Sequence, residues 1–387
     1  MTHRTPPGQV DLLTERPVVT VAVVVMVVVA LVVLYVSYRF VQWLRRPQSV
    51  RFVETIEGLT TVDVLMHPNP DPDAMSSAIG IAAIARSVGV EPTLWYPGGI
   101  RHQENRAFRT VLDLELNHLE TVEVLDGDEV ILVDHNEPRG IPRAASIEPV
   151  AVIDHHPGEG VGSEHTDIRT EYGACASIVT EYLDDLGATV LAPGEEAPSE
   201  EFTLDSELVT GLVYGIHSDT DRLVSGACEG DVLACGFLLP GVDEEVLGRI
   251  ANPQVDAETL EVKAQAIDRR EVDAPYAVSN AGEVGNVDAI PQSADELARL
   301  EGVTAVVVFG EVDGMIYLSG RSRDDRVHMG NALSAAVEEI PMADAGGHAR
   351  MGGGQVPREH MEGLGPQTGV GKPRLKARLF EAMRGEL

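Results

Sequence analysis

The sequence predicts an α/β protein: a mostly parallel-sheet domain, a smaller α/β domain after it, and one apolar N-terminal helix before both. Three observations carry this expectation. Short β-branched runs without polar alternation, such as Val150 to Ile153, suit strands buried on both faces of a parallel sheet. Helical patterns fall between or after these runs, and strands alternating with helices build a parallel sheet. The third observation is an uncharged apolar run from Val18 to Tyr38, long enough for one helical crossing of roughly 20 residues.

That run comes first in the chain. Its valines disfavour a helix in water, but in lipid the backbone must bond internally, so a helix results. A cleaved signal would have a shorter apolar region and a small-residue cleavage site, and neither fits. Arg39, Arg45, Arg46 and Arg51 follow the run, against Arg4 and Arg16 before it, and Tyr35, Tyr38 and Trp43 supply interfacial aromatics. The charge bias predicts a single-pass anchor in the cell membrane within residues 1–50, with the body on the cytoplasmic side.

A catalytic domain is expected over 51–250. "TTVDVLMH" reads as a strand and "DAMSSAIGIAAIARSVGV" as the helix after it. "EVILVDH" and "PVAVIDHH" are two further strands, and "SIVTEYLDDLGA" and "SELVTGLVYGIHSD" are helices. Residues 192–201, acidic and Pro-rich, form a surface loop. Residues 251–272 read as a helical linker, and 273–387 as the second domain. There "VTAVVVFGEVDGMIYLSGRSR" predicts two strands joined at Asp313-Gly314, an Asp-Gly hairpin signal. "HMGNALSAAVEEI" and "KPRLKARLFEAMRG" read as helices on either side of a Gly-rich stretch, "AGGHARMGGGQVP".

Composition narrows the function. The net charge is -33, and only three cations are lysine: Lys263, Lys372 and Lys376. Such a surface fits solubility at high salt, as in halophiles, and excludes a broad interface for duplex nucleic acid. Cys175, Cys228 and Cys235 have no CxxC spacing and imply neither a disulfide framework nor a zinc cluster.

The chemistry lies at the strand ends. The first strand ends in "HPNPDPD", with His67, Asp71 and Asp73; the second ends at Asp134; the third gives Asp154, His155 and His156. A fourth cluster, "IHSDTD" with Asp219, closes an apolar helical run. Ligands bind at the carboxyl ends of strands in open α/β sheets. Carboxylates stacked there without cations would cost several kcal/mol, which divalent ions remove. Asp and His without Cys favour ions such as Mn²⁺, and there are ligands enough for two ions sharing a carboxylate. Taken singly, each cluster reads as a turn or a helix cap. In this order, each closing an apolar run, they read as a metal site. His135 and His217 adjoin site residues without being ligands by that fact. His102, His118, His165, His328 and His360 read as surface or helix residues.

"HPNPDPD", "ILVDH", "VIDHHPG" and "GIHSDTD" together resemble the four N-terminal motifs of the DHH phosphoesterase family. "SGRSR" followed by "AGGHARMGGG" resembles its DHH-associated C-terminal domain with a Gly-Gly-His signature, although "MGGG" departs from the small residues usual there. The resemblance implies one ion on His67, Asp71 and Asp134, and another on Asp73, Asp134, His155 and Asp219. His156 would face the substrate phosphate as donor or acid, and Asp154 would support it from behind. Arg321, Ser322, Arg323, Gly346, Gly347 and His348 would bind substrate. The ions would be two Mn²⁺, with Mg²⁺ or Co²⁺ as substitutes. The expected activity is a membrane-anchored phosphodiesterase acting on cyclic dinucleotides such as cyclic di-AMP, or on their linear products. A hydrolase of short oligoribonucleotides and a nucleotide sensor without turnover are the alternatives, and a homodimer is left open.

Overall fold

The computed structural model describes residues 17–44, 46–100, 102–198, 201–361 and 371–387. The chain divides into two compact units, 1–100 with 108–248, and 101–107 with 249–387. Helix α1 runs Pro17–Leu44, and its described side chains, 21–35, are all exposed. Among the described residues no helix is long and apolar enough to cross a membrane. The crossing predicted at 18–38 therefore rests on the sequence pattern, because only its middle carries described side chains. Arg4, Arg16 and Arg45 lie outside the described residues.

The first unit continues with α2 (Gln48–Ile56), β1 (Thr61–Met66), α3 (Pro72–Ser87), β2 (Glu91–Tyr96), α4 (Gln103–Val111) and β3 (Asn117–His118). Next come β4 (Glu129–Val133), β5 (Ala151–Asp154), β6 (His165–Ile168), α5 (Cys175–Asp185) and the short pair β7 (Thr189–Val190) and β8 (Thr203–Leu204). Helices α6 (Ser206–Asp219), α7 (Glu229–Leu238) and α8 (Glu244–Ala251) follow. The main sheet has six strands in the order β3-β2-β1-β4-β5-β6, all parallel. The chain winds outward from β1 to β3, then returns to β4 on the other side of β1. That reversal leaves a crevice at the carboxyl ends of β1 and β4, where doubly wound sheets bind ligands.

The strands are buried as their sequences require. Every residue of β5 is buried, as is all of β1 after Thr61. Leu65, Trp95, Leu132 and Val152 pack together in one core cluster. Helix α3 buries small residues, Ala74, Ala78, Ala82 and Ala85, so it can lie close to its neighbours. A Cβ on Gly80 would stand 2.5 Å from Val179 Cγ1, which makes glycine the residue that lets α3 and α5 approach. Asp63, fully buried within β1, is satisfied by Trp95 Nε1 at 2.7 Å and the Gly127 amide at 2.8 Å.

His165 is not a surface residue: it is 4% exposed and lies at the start of edge strand β6. Tyr182 donates its hydroxyl hydrogen to Asp167 at 2.7 Å, so His165 Nε2, 2.9 Å from the same oxygen, must be the donor there. Burial holds the His165 pKa down to about 4. Between about 6.5 and 4 the unfolded chain takes up a proton that the folded chain refuses. Stability is therefore lost as pH falls through that window, by roughly 3 kcal/mol from this one group. Urea unfolding of His165→Gln at pH 7 and pH 5 is expected to show a smaller loss than the parent. An equal loss in both would remove His165 as the cause.

The second unit contains α9 (Ala257–Asp268), β9 (Arg270–Asp273), β10 (Tyr276–Glu283), α10 (Ala289–Leu297), β11 (Ala305–Val312) and β12 (Met315–Ser322). It ends with α11 (Met329–Val337), β13 (Asp344–Gly347), β14 (Met351–Pro357), α12 (Arg358–Met361) and α13 (Lys372–Met383). Its sheet, β13-β14-β12-β11-β10-β9, is mixed: β10 and β11 are parallel and the other pairs antiparallel. Helix α9, read from the sequence as a linker, contributes Val262 and Ala266 to a core cluster of this unit. The Asp313-Gly314 turn has positive φ at both residues, 49° and 76°, which matches the twist of a tight hairpin. The Gly-rich stretch forms strands β13 and β14. Gly347 sits at φ +139°, and a Cβ there would lie 2.5 Å from Gly352 Cα, so close strand pairing requires glycine.

Candidate metal centre

The polar residues that end β1, β4 and β5 converge with those of α3 and α6. His67 follows β1, and its Nδ1 is bound to the Pro68 carbonyl at 2.9 Å, which turns Nε2 toward the crevice. There it meets Asp71 Oδ2 at 3.5 Å and Asp134 Oδ2 at 3.3 Å. Asp71 also caps α3, accepting from the Ala74 amide with its other oxygen. Asp134 stands just beyond β4 in the left-handed region, φ 59°, a conformation that Asp and Asn tolerate better than most residues.

His155, just past β5, donates from Nδ1 to the Tyr172 carbonyl at 3.2 Å. Its Nε2 lies 3.3 Å from Asp134 Oδ1 and 3.7 Å from both Asp73 Oδ2 and Asp219 Oδ2. Asp73, in the first turn of α3, accepts the Cys175 and Ala176 amides at 2.7 and 2.8 Å, where α5 begins. Three donor groups result: His67, Asp71 and Asp134; Asp73, His155 and Asp219; Asp134, His155 and His156. Asp134 and His155 each belong to two of them.

Asp154 is a hub behind this cluster. Its Oδ1 accepts from the amides of His155 and His156 and from His156 Nδ1 at 2.9 Å, while Oδ2 accepts from Asn136 Nδ2 at 2.7 Å. The imidazole of His156 is half exposed, so its Nε2 is the ring nitrogen left for other contacts. Asn136 went unnoticed in the sequence; its only signal is its place two residues after Asp134. Gly158 and Gly160 leave no room for a Cβ against Asn136, so the turn after "DHH" closes directly over it.

The electrostatics are frustrated. Burial would keep His67 neutral, but Asp134 and Asp71 outweigh it and lift its pKa to about 11. Burial also opposes charge on His155, and Asp134 and Asp219 raise it to about 9. Burial and then the neighbouring carboxylates push Asp73 well above the usual range and Asp219 up to about 7. Asp134 escapes the effect of burial because His155 and His67 hold it below the usual range. Among the described residues, two buried atoms, Asp134 Oδ1 and His155 Nε2, have no hydrogen-bond partner. Orphaned polar atoms of this kind, aimed at one another from an oxygen-and-nitrogen set, fit divalent ions. The tethered Nδ1 atoms are the outer contacts that metal-binding histidines need. His135 and His217 belong to none of the groups; burial brings the His135 pKa down to about 4.

In the second unit, Arg321 is engaged by Asp295 at 2.6 Å and by Ser319. Ser322 is 4% exposed and donates to the Asp324 carbonyl, which makes it part of a turn. Arg323 reaches the Ala298 carbonyl at 3.1 Å, Gly346 and Gly347 lie in β13, and His348 is exposed beyond it. His360, expected as a surface or helix residue, lies in α12 and is 3% exposed.

A doubly wound sheet with a histidine-carboxylate cluster at its switch point, followed by a second α/β unit, defines the class. The chain carries both domains of this kind: residues 61–216 match the DHH family N-terminal domain, and residues 273–364 match the DHHA1 domain. It is 33% identical to an uncharacterised protein of Methanocaldococcus jannaschii over 76% of this chain and 57% of that protein. It is also 31% identical to a probable manganese-dependent inorganic pyrophosphatase of Enterococcus faecalis, over 48% of this chain and 56% of that protein. The chain thus spans little more than half the length of these curated relatives. Its fold is shared with an exopolyphosphatase-related protein from Bacteroides fragilis at a TM-score of 0.62 and 16% identity, covering 87% of this chain and 96% of that one.

Proposed function

We propose that this chain is a two-ion, Mn²⁺-dependent phosphodiesterase that hydrolyses cyclic dinucleotides or their linear products, anchored by α1 with its body on the cytoplasmic side of the cell membrane. The observation that carries the reading is the overlap of the donor groups at Asp134 and His155. His67, Asp71 and Asp134 would hold one ion; Asp73, Asp134, His155 and Asp219 would hold the other. When bound, Mn²⁺, with Mg²⁺ or Co²⁺ as substitutes, would supply a water that loses its proton near neutral pH and positive charge to clamp the phosphoryl oxygens. Support comes from the manganese dependence in the name of the pyrophosphatase relative.

His156 acts on the substrate side. Asp154 fixes its Nδ1 and raises its pKa, which favours the imidazolium form and leaves an Nε2 proton to donate to a phosphate oxygen or the leaving group. In the second unit, Arg321, Arg323 and His348 are assigned to substrate recognition, with Gly346 and Gly347 allowing close approach of backbone. A nucleotide is favoured over pyrophosphate because the pyrophosphatase likeness covers 48% of the chain, whereas this chain carries a DHHA1 domain over 273–364.

The test is a comparison of initial rates at high salt with Mn²⁺ on cyclic di-AMP, linear di-adenylate, a five-residue RNA and pyrophosphate. The expected order puts the two dinucleotides first. A far faster five-residue RNA makes the chain a short-oligoribonucleotide hydrolase, and a preference for pyrophosphate overturns the reading. Tight binding without turnover makes it a sensor. For the anchor, the full chain should sediment with membranes through an alkaline wash, and a chain lacking residues 1–45 should not. Release of the full chain by that wash would remove the anchor.

A further inference from the structure

Asp231 is fully buried in the first turn of α7, past the last of the polar clusters at the crevice. Its Oδ2 accepts two amides: Cys228 N at 2.7 Å, which caps α7, and Gly173 N at 2.9 Å. Its Oδ1 has no hydrogen-bond partner among the described residues. A cap alone does not explain this arrangement, because caps sit comfortably at the surface, and an orphaned buried carboxylate oxygen costs about 1–3 kcal/mol or more. The second bond, to Gly173, is what the buried position achieves.

Gly173 belongs to a short segment whose backbone supports two of the proposed ligands. One residue before it, the Tyr172 carbonyl accepts from His155 Nδ1. Two and three residues after it, the Cys175 and Ala176 amides hold both oxygens of Asp73. The segment has little freedom to shift. A Cβ on Gly173 would lie 2.6 Å from Thr220 Cγ2, next to Asp219, and one on Gly230 would lie 2.5 Å from the Tyr172 ring. The amide of Gly173 is therefore the point where the carboxylate of α7 meets the support of the crevice.

We propose that Asp231 is a positioning residue of the metal centre, holding the 172–176 segment so that it aims His155 and Asp73 at the ions. This rests on the two-ion reading above. Supporting contacts behind metal ligands commonly change affinity 10- to 100-fold. Asp231 acts on two ligands at once, through backbone groups that no substitution at 172–176 can delete without moving the chain.

The experiment is calorimetric titration of the full chain with Mn²⁺ alone, with thermal melting measured in parallel. Asp231→Ala is expected to weaken Mn²⁺ by about 10- to 100-fold. Asp231→Asn, of equal size, should weaken it less, because its amide oxygen still accepts the Gly173 hydrogen. Asp256→Ala removes the cap of α9 in the other unit, where Asp256 accepts from Thr259, and should lower the melting point without changing Mn²⁺ affinity. A folded Asp231→Ala that binds Mn²⁺ like the parent overturns the proposal. If that variant does not fold, Asp231→Leu, of similar bulk and unable to accept the Gly173 hydrogen, decides, and parental affinity there overturns it as well. His155→Ala separates the two readings: if it binds Mn²⁺ normally, the metal centre itself is wrong. If it loses Mn²⁺ while the Asp231 variants keep it, only the positioning role falls.

Discussion

Asp134→Asn is expected to abolish Mn²⁺ binding and hydrolysis together while the chain stays folded. The side chain is 1% exposed, and its two oxygens lie 3.3 Å from His67 Nε2 and His155 Nε2, one oxygen toward each donor group. Among the described residues it is the carboxylate that a donor group with His67 and a donor group with His155 share. Asn is the right replacement because it tolerates the left-handed φ of 59°, which a β-branched or bulky residue would not. Losing several kcal/mol of charge stabilisation in the transition state lowers the rate about a thousandfold. Calorimetric titration and steady-state rates check both parts. Activity within tenfold of the parent would show that Asp134 is not shared between two ions.

Stripping the ions is the second large effect. With chelator in place of Mn²⁺, a carboxylate cluster including the fully buried Asp73 keeps its mutual repulsion. Ions at about a hundred times their dissociation constant would add about 2.7 kcal/mol per site, some 5 °C or more in melting temperature for a unit of this size. Differential scanning calorimetry of the full chain with Mn²⁺ and with chelator should show that gap. Asp134→Asn should close it, which ties the gain to the crevice and not to ions scattered over an acidic surface. Equal melting in both conditions would count against an ion at this place.

The ligand candidates were legible because their signal is local. His67, Asp71, Asp73, Asp134, His155 and Asp219 each follow or close an apolar run, and the burial of β1, β4 and β5 follows from those runs. The strand order was not legible. Nothing in "EVILV" says that β4 lies beside β1 and not beside β2, yet that adjacency makes the crevice. The support behind the ligands was hidden for another reason. The Tyr172 carbonyl and the Cys175 and Ala176 amides are backbone groups that any residue could supply. Asp231, which accepts the Gly173 amide of the same segment, stands in the capping box that opens α7 and drew no notice in the sequence. His165 misled because its partner, Tyr182, reaches it through the fold and not through spacing. The glycines of β13 and β14 gave no strand signal and stood only as a Gly-rich stretch, although their lack of Cβ is what permits the pairing.

The strand order has a kinetic consequence. His67 and Asp71 are four residues apart, so two of the three members of one donor group meet as soon as α3 has its first turn. Asp134 reaches them only after the chain has run out through β2 and β3 and come back to pair β4 with β1. Asp219 arrives later still, at the end of α6. Pairings between strands so distant along the chain are the slow part of folding. The appearance of tight metal affinity during refolding would thus mark a late event, the return of β4 to the centre of the sheet.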